Sequence, residues 1–262
     1  MGAEITTFLG GATNLGFRKM KHAFITGGAK RVGREIALHL AAQGYNITIH
    51  ANKSKVEAQQ TLSDIAALGV NAHIEYGDLN EPQHAGAMLQ SASKQLGAIT
   101  LLVNNASIFF KDELANVTVD SLQAHMNINC FSAIMLTNAL AAQANKAQAI
   151  CLLDGMNSWS ISPNFLSYSL SKLALEQFIK LQAAQLAPNM RLNGIALGST
   201  LEGELDSNTF TKTARLSPLK RNSNPQEVCE TIMFLEKSPS ITGQIIALSN
   251  GFNLVSPAAA RF

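Results

Sequence analysis

Long apolar runs are missing from this sequence. Although 47% of its 262 residues are hydrophobic, no stretch approaches the ~20 apolar residues that crossing a bilayer takes, so the chain reads as a folded domain with no membrane partner. Charge is sparse: 15% of the residues are charged, the net charge is +2, and Lys and Arg are scattered. The basic stripe that nucleic acid would require is absent, which leaves small molecules as the expected partners. Cysteine is scarce too. Cys130, Cys151 and Cys229 sit in apolar settings without metal-ligand spacing, which excludes a disulfide framework, predicts no metal site and points to reduced thiols in a cytoplasmic compartment. No basic start and apolar block precede a cleavage-like site, so no secretory signal is expected. No linker divides the chain, and at this length one α/β domain is the expectation.

The stretch Thr26-Gly-Gly-Ala-Lys-Arg-Val-Gly33 is the most informative feature present. It lies between an apolar run, His22–Ile25, and a segment in which Val32, Ile36, Ala37, Leu40 and Ala41 recur at helical spacing, so strand, glycine turn and helix follow in order. Gly27 and Gly28 permit a sharp turn, Gly33 permits close approach of a nucleotide, and the free N–H groups of the helix's first turn suit a pyrophosphate. Residues 1–20 contain a partial echo, Gly10-Gly-Ala-Thr-Asn-Leu-Gly16, with no room for a strand before it. They read as an N-terminal arm or extension to a domain spanning 21–262.

Further along, Asn46–His50, Asn71–Tyr76, Ile99–Val103, Ala149–Leu153, Arg191–Ala196 and Gln244–Leu248 read as strands. Between them a capping box, Ser54-Lys-Val-Glu57, opens a helix to about Gly69, and Glu81-Pro82 opens another to Gly97. One long, bent helical stretch spans Thr118 to Lys146, another runs from Asn164 to Ala187, and a last helix covers Pro225 to Lys237. The alternation predicts an α/β, single-domain Rossmann fold: a doubly wound, mostly parallel seven-stranded sheet with helices on both faces. The long connection at about 198–224 reads as a flap or short helix over a site.

In such a sheet, ligands bind beyond the carboxyl ends of the strands. Thr26, Asn52-Lys53-Ser54, Asp78, Asn104-Asn-Ala-Ser107 and Asp154 all fall there. Tyr168 and Lys172 are four residues apart near the start of a helix and share a face. A neighbouring ammonium is expected to favour the phenolate and ease proton donation from a group whose reference pKa is about 10.

Taken together these residues resemble the short-chain dehydrogenase/reductase family, from Lys21 to about Leu254. The Tyr-x-x-x-Lys pair matches Tyr168-Ser-Leu-Ser-Lys172; the Asn-Asn-Ala-Gly turn matches Asn104-Asn-Ala-Ser107 with serine for glycine. The helix-borne catalytic Asn matches Asn129, and the adenine-contacting Asp matches Asp78. Two departures, Arg31-Val-Gly33 where Gly-x-Gly is usual and Asp154 in place of the catalytic Ser, resemble the pteridine reductase and dihydromonapterin reductase branch. That branch also implies that Phe109 stacks on a flat pterin ring, with Ser107, Asp154 and Tyr168 as the other substrate contacts. A third departure, Leu197-Gly198 for Pro-Gly, predicts a looser turn on the cofactor side.

Chemistry supports the branch. Reducing a ketone builds negative charge on oxygen, beside which an ionised Asp154 is repulsive, whereas reducing a C=N bond requires a proton on nitrogen, which an Asp–Tyr pair can relay. No acid stands at the end of the second strand to grip ribose hydroxyls. Lys30, Arg31 and Lys53, with Asn52 and Ser54, can instead surround a 2′-phosphate, so NADP(H) is the expected cofactor. Gly27, Val32, Gly33, His50, Asp78, Leu79, Asn105, Ala106, Ser107, Lys172, Gly198 and Ser199 complete its expected site. The expected function is NADPH-dependent reduction of a dihydropterin-like substrate, with Tyr168, Lys172, Asp154 and Asn129 catalytic. A 3-oxoacyl-(acyl carrier protein)-type carbonyl reductase and a non-catalytic NADPH-binding sensor are the alternatives. The resemblance further implies a homotetramer whose helices around 120–145 and 165–187 pack across subunits, where Ala139, Ala141, Ala142, Ala174, Ala183 and Ala184 would permit close approach.

Overall fold

The computed structural model describes residues 21–143, 146–155, 164–202 and 207–254. The arm at 1–20, with its glycine echo, lies outside them. Seven strands form one sheet in the order β3-β2-β1-β4-β5-β6-β7: β1 (His22–Ile25), β2 (Asn46–Ala51), β3 (Ala72–Tyr76), β4 (Leu101–Asn104), β5 (Ala147–Asp154), β6 (Met190–Leu197) and β7 (Ile245–Leu248). Every pairing is parallel, so the expected architecture holds, with no antiparallel strand among the described residues.

Successive residues of the central strands alternate between two apolar layers. Ala23, Ile25, Leu101, Val103, Ile150 and Leu152 face one layer, shared with α1 (Arg31–Ala42), α2 (Lys55–Ala66) and the helix Pro225–Lys237. Phe24, Leu102, Ala149, Cys151 and Leu153 face the other, shared with α3 (Ala85–Leu96), α5 (Ser132–Ala141) and α6 (Leu166–Leu186). Burial on both faces is why these strands read as unbroken apolar runs. Helix α4 (Val119–Met126) precedes α5, α7 (Ser207–Leu216) lies inside the expected flap, and α8 is Pro225–Lys237.

Several local expectations need correction. The Ser54 side chain makes no capping bond to α2. A 3-10 turn, Pro82–His84, precedes α3. The long, bent helical stretch expected over Thr118–Lys146 is α4 and α5 joined by a π-helical turn, Asn127–Phe131, and α5 ends at Ala141. Helix α6 stops at Leu186, because Ala187 before Pro188 is extended.

The chain leaves β1 for β2 on one side and reaches β4 on the other, so the order reverses between β1 and β4. Such a reversal opens a crevice at the strands' carboxyl ends. Thr26 laces the two strand ends there, its hydroxyl accepting the N–H of Asn105 and of Ala106, both at 2.9 Å.

Candidate active site

The crevice is a cleft of about 360 Å³ walled by the glycine turn (Gly27, Lys30, Arg31, Val32, Gly33), by His50 and Asn52, by Asp78 and Leu79, and by Asn105, Ala106 and Ser107. These are expected positions on four different strand ends. Ile108 and Ile128 also line it and were not anticipated, since each reads as an ordinary apolar residue. Of the expected cofactor contacts, Lys53, Ser54, Lys172, Gly198 and Ser199 are not among its walls.

Gly27 has φ +62 and turns the chain into α1. Gly33, which lines the cleft as expected, is required for a further reason. A Cβ there would lie 2.2 Å from the Gly27 carbonyl oxygen and 2.6 Å from Asn105 Nδ2, so the helix packs on its own turn. Arg31 holds φ +55, a left-handed conformation that costs a non-glycine residue roughly 1 kcal/mol, and its guanidinium donates to the Glu202 carbonyl at 3.1 Å. Lys30, the N-cap of α1, makes no side-chain capping bond and no acid stands in the first turn. The head of the helix thus faces the cleft with its positive dipole end uncompensated by the chain.

His50 is 3% exposed, its Nδ1 accepting the Gly27 N–H at 3.3 Å and its Nε2 donating to the Gly77 carbonyl at 3.1 Å. Burial holds its pKa below the usual value, against hydrogen bonding and nearby acids. The ring is a neutral strut under the glycine turn. The expected looseness after β6 is absent: the Gly198 N–H donates to the Leu248 carbonyl at 2.9 Å, and the Ser199 carbonyl accepts the Ser223 N–H at 2.8 Å.

At the end of β5 the Tyr168 hydroxyl donates to Asp154 Oδ2 at 2.9 Å. Tyr168 is buried, and burial together with Asp154 raises its pKa well above the usual value. This corrects the expected electrostatics. Lys172 Nζ lies 5.9 Å from the Tyr168 ring centroid and donates to the Leu152 carbonyl at 3.0 Å. Desolvation lowers its own pKa to about 8, with Asp154 opposing. The tyrosine is therefore held neutral, because burial and the charge and hydrogen bond of Asp154 all favour the protonated phenol.

Asn129 lies in the π turn, 1% exposed. Its amide accepts the Ile108 N–H at 2.8 Å, donates to the Ile108 carbonyl at 3.1 Å and donates to Ser171 Oγ at 3.0 Å. It fixes the loop after β4 to the tyrosine helix rather than facing the cleft with a free amide. Ser107 Oγ donates to the same Asn129 oxygen at 3.2 Å. Phe109 is 37% exposed; it stacks on Phe165 with centroids 4.3 Å apart and meets Tyr168 edge-on at 4.6 Å.

A family described as enoyl-(acyl carrier protein) reductase matches residues 27–253. The chain belongs to the short-chain dehydrogenases/reductases. It is thus an oxidoreductase of that family. The crystal structure of FolM alternative dihydrofolate reductase 1 from Brucella canis, complexed with NADP, superposes with a TM-score of 0.85 at 31% identity, over 92% of this chain and 98% of that one. The oxidoreductase YmfI of Bacillus subtilis is 29% identical over 89% of this chain and 99% of its own length. The 3-oxoacyl-(acyl-carrier-protein) reductase FabG of Staphylococcus epidermidis is 26% identical over 88% and 98%.

Proposed function

We propose that this short-chain reductase uses NADPH to reduce a flat, pterin-like ring at a C=N bond. The observation that carries the reading is the hydrogen bond from Tyr168 to Asp154 at 2.9 Å. A carboxylate beside the proton donor disfavours an oxyanion but suits a ring nitrogen that must gain a proton, and it can accept the N–H groups of an aminopyrimidine edge. The partly exposed Phe109 offers a ring surface next to that dyad. The FolM likeness supports the same substrate class.

The residues present fit the cofactor. The uncapped head of α1 suits a pyrophosphate, and Lys30, Arg31 and Asn52, with no acid at the end of β2, suit a 2′-phosphate. The relative solved with NADP agrees with that choice. Lys53, Ser54, Gly198 and Ser199, which do not wall the cleft, are secondary contacts in this reading. When bound, NADPH supplies the hydride. The chain's own part is to hold the proton on Tyr168 Oη, to orient the ring with Ser107, Phe109 and Asp154, and to present Lys172 to the ribose.

The test follows NADPH oxidation with dihydrobiopterin, dihydromonapterin and a 3-oxoacyl thioester. Turnover of a dihydropterin, lost about 100-fold or more in Asp154→Ser with NADPH affinity retained, is the expected result. Turnover of the thioester alone would instead favour the carbonyl reductase reading that the Staphylococcus relative suggests.

A further inference from the structure

Helix α6 carries Tyr168 and Lys172, yet nothing of its own caps it. Phe165 at the N-cap offers no side-chain bond, and the first turn contains no acid. The cap comes from elsewhere in the chain. Asp112, in the loop between β4 and α4, is 7% exposed. Its backbone carbonyl accepts the Leu166 N–H at 3.1 Å and its Oδ1 accepts the Ser167 N–H at 3.0 Å. Its Oδ2 accepts the hydroxyl of Ser167 and, at 2.9 Å, that of Ser121 on α4. Two of the four orphan donors at the head of α6 are thus satisfied by one residue.

The surroundings are built to keep that carboxylate charged. Burial pushes its pKa up, but the bonds from Ser167 and Ser121, together with His125, outweigh burial and hold it below the usual range. His125, 1% exposed, donates from Nδ1 to the Ser121 carbonyl at 2.8 Å and accepts the Phe110 N–H at Nε2 at 3.4 Å. Its ring stands 6.5 Å from that of Tyr168. Asp112 is one peptide bond from contact with Tyr168 through Ser167, and three residues from Phe109 along its own loop.

We propose that Asp112 is a positioning residue for the reductase: a remote cap that fixes the catalytic helix against the substrate loop, setting where Tyr168 Oη stands relative to Asp154 and Phe109. The inference rests on Tyr168 as proton donor and applies whichever substrate is reduced. An asparagine at 112 can still accept the Ser167 N–H while donating to the serine hydroxyls, whereas an alanine can do neither.

The experiment compares Asp112→Ala and Asp112→Asn in the full chain, with kcat expressed per NADPH-binding site and amide hydrogen exchange read on the peptide containing Leu166–Ser169. The assay uses whichever substrate the unmutated protein turns over, dihydropterin or 3-oxoacyl thioester, so failure of the pterin reading leaves this test intact. Expected are a kcat loss of about 20-fold in Asp112→Ala, a misplacement effect, with recovery to within about threefold in Asp112→Asn and an NADPH KM within about twofold in both. Exchange of the helix-head amides is expected about tenfold faster in Asp112→Ala only. Unchanged kcat or exchange in Asp112→Ala, no recovery in Asp112→Asn, or loss of NADPH binding in step with kcat would each overturn the proposal. Should Asp112→Ala not fold, Ser167→Ala replaces it: a kcat loss of about threefold at unchanged KM is expected, and an unchanged kcat overturns the assignment.

Discussion

Arg31 shows how much one residue can be asked to do. It spends backbone energy at φ +55 at a position where the family resemblance implies glycine, and it stands on the cleft wall. In Arg31→Gly the strain is relieved by about 1 kcal/mol, offset by the greater freedom glycine gives the unfolded chain. The melting temperature should therefore stay close to that of the unmutated protein, while KM for NADPH rises about tenfold and that for NADH does not, as steady-state kinetics would read. Lys172 is the opposite case, a buried cation whose pKa falls to about 8 although its unfolded value is about 10.4. Below pH 8 both states hold the proton and the folded state bears the full desolvation cost. Between about pH 8 and 10.4 the unfolded chain binds the extra proton, so the residue's unfavourable contribution shrinks as pH rises. Lys172→Met should consequently melt higher than the unmutated protein at pH 6.5, with the gap closing by pH 9.5, and be inactive throughout. In the unmutated protein, kcat/KM should decline as pH passes 8 and the ammonium is lost.

Among the secondary-structure elements, the capping chemistry separates what is written in the local sequence from what packing allows. Ser54-Lys-Val-Glu57 has the spacing of a capping box, but Ser54 adopts φ −78, ψ 60 and its side chain makes no cap bond. Thr118 and Ser121 do form one at the head of α4, with the Thr118 side chain accepting the Ser121 N–H at 3.1 Å. Thr118→Ala should cost about 1 kcal/mol in chemical denaturation and Ser54→Ala under about 0.5 kcal/mol. The π turn at Asn127–Phe131 is the other lesson at this scale. The pattern of that stretch reads as one long helical segment and does not reveal the π turn, whose Asn129 holds Ile108, 21 positions away. Asp112 went unnoticed for the same reason. Between Lys111 and Glu113 it reads as one more loop charge, and only the helix head it caps distinguishes it.

For the whole molecule, large apolar side chains remain exposed on adjacent helices. Phe131 and Met135 are 38% and 37% exposed, and on α6 Leu170, Leu173 and Leu181 are 46%, 37% and 69% exposed. The spacing of four residues in the first set, and of three and eight in the second, puts each set on one helical stripe. Of the alanines expected at a subunit contact, Ala183 faces this chain's own core, with Ala139 and Ala174 packed against it; the larger residues form the outward stripe instead. Self-association through these helices, in a homotetramer, is our proposal for them. Leu173→Asp combined with Leu181→Asp should reduce the sedimenting mass, since charge at the centre of an apolar contact is left unpaired. Sedimentation that is unchanged by the double substitution would exclude this face.

The sequence by itself determined the order of strands and helices, the glycine turn, the tyrosine–lysine pair and the acid facing them. Each of these is a short-range pattern, set by side-chain periodicity, by turn stereochemistry or by residue type at a fixed spacing. Only the tertiary structure decided that Gly33 yields to its own turn, that burial and Asp154 favour the protonated tyrosine, and that the helix carrying Tyr168 is capped from another loop. Those outcomes depend on burial and on partners brought together across the fold, and no local window of residues contains them.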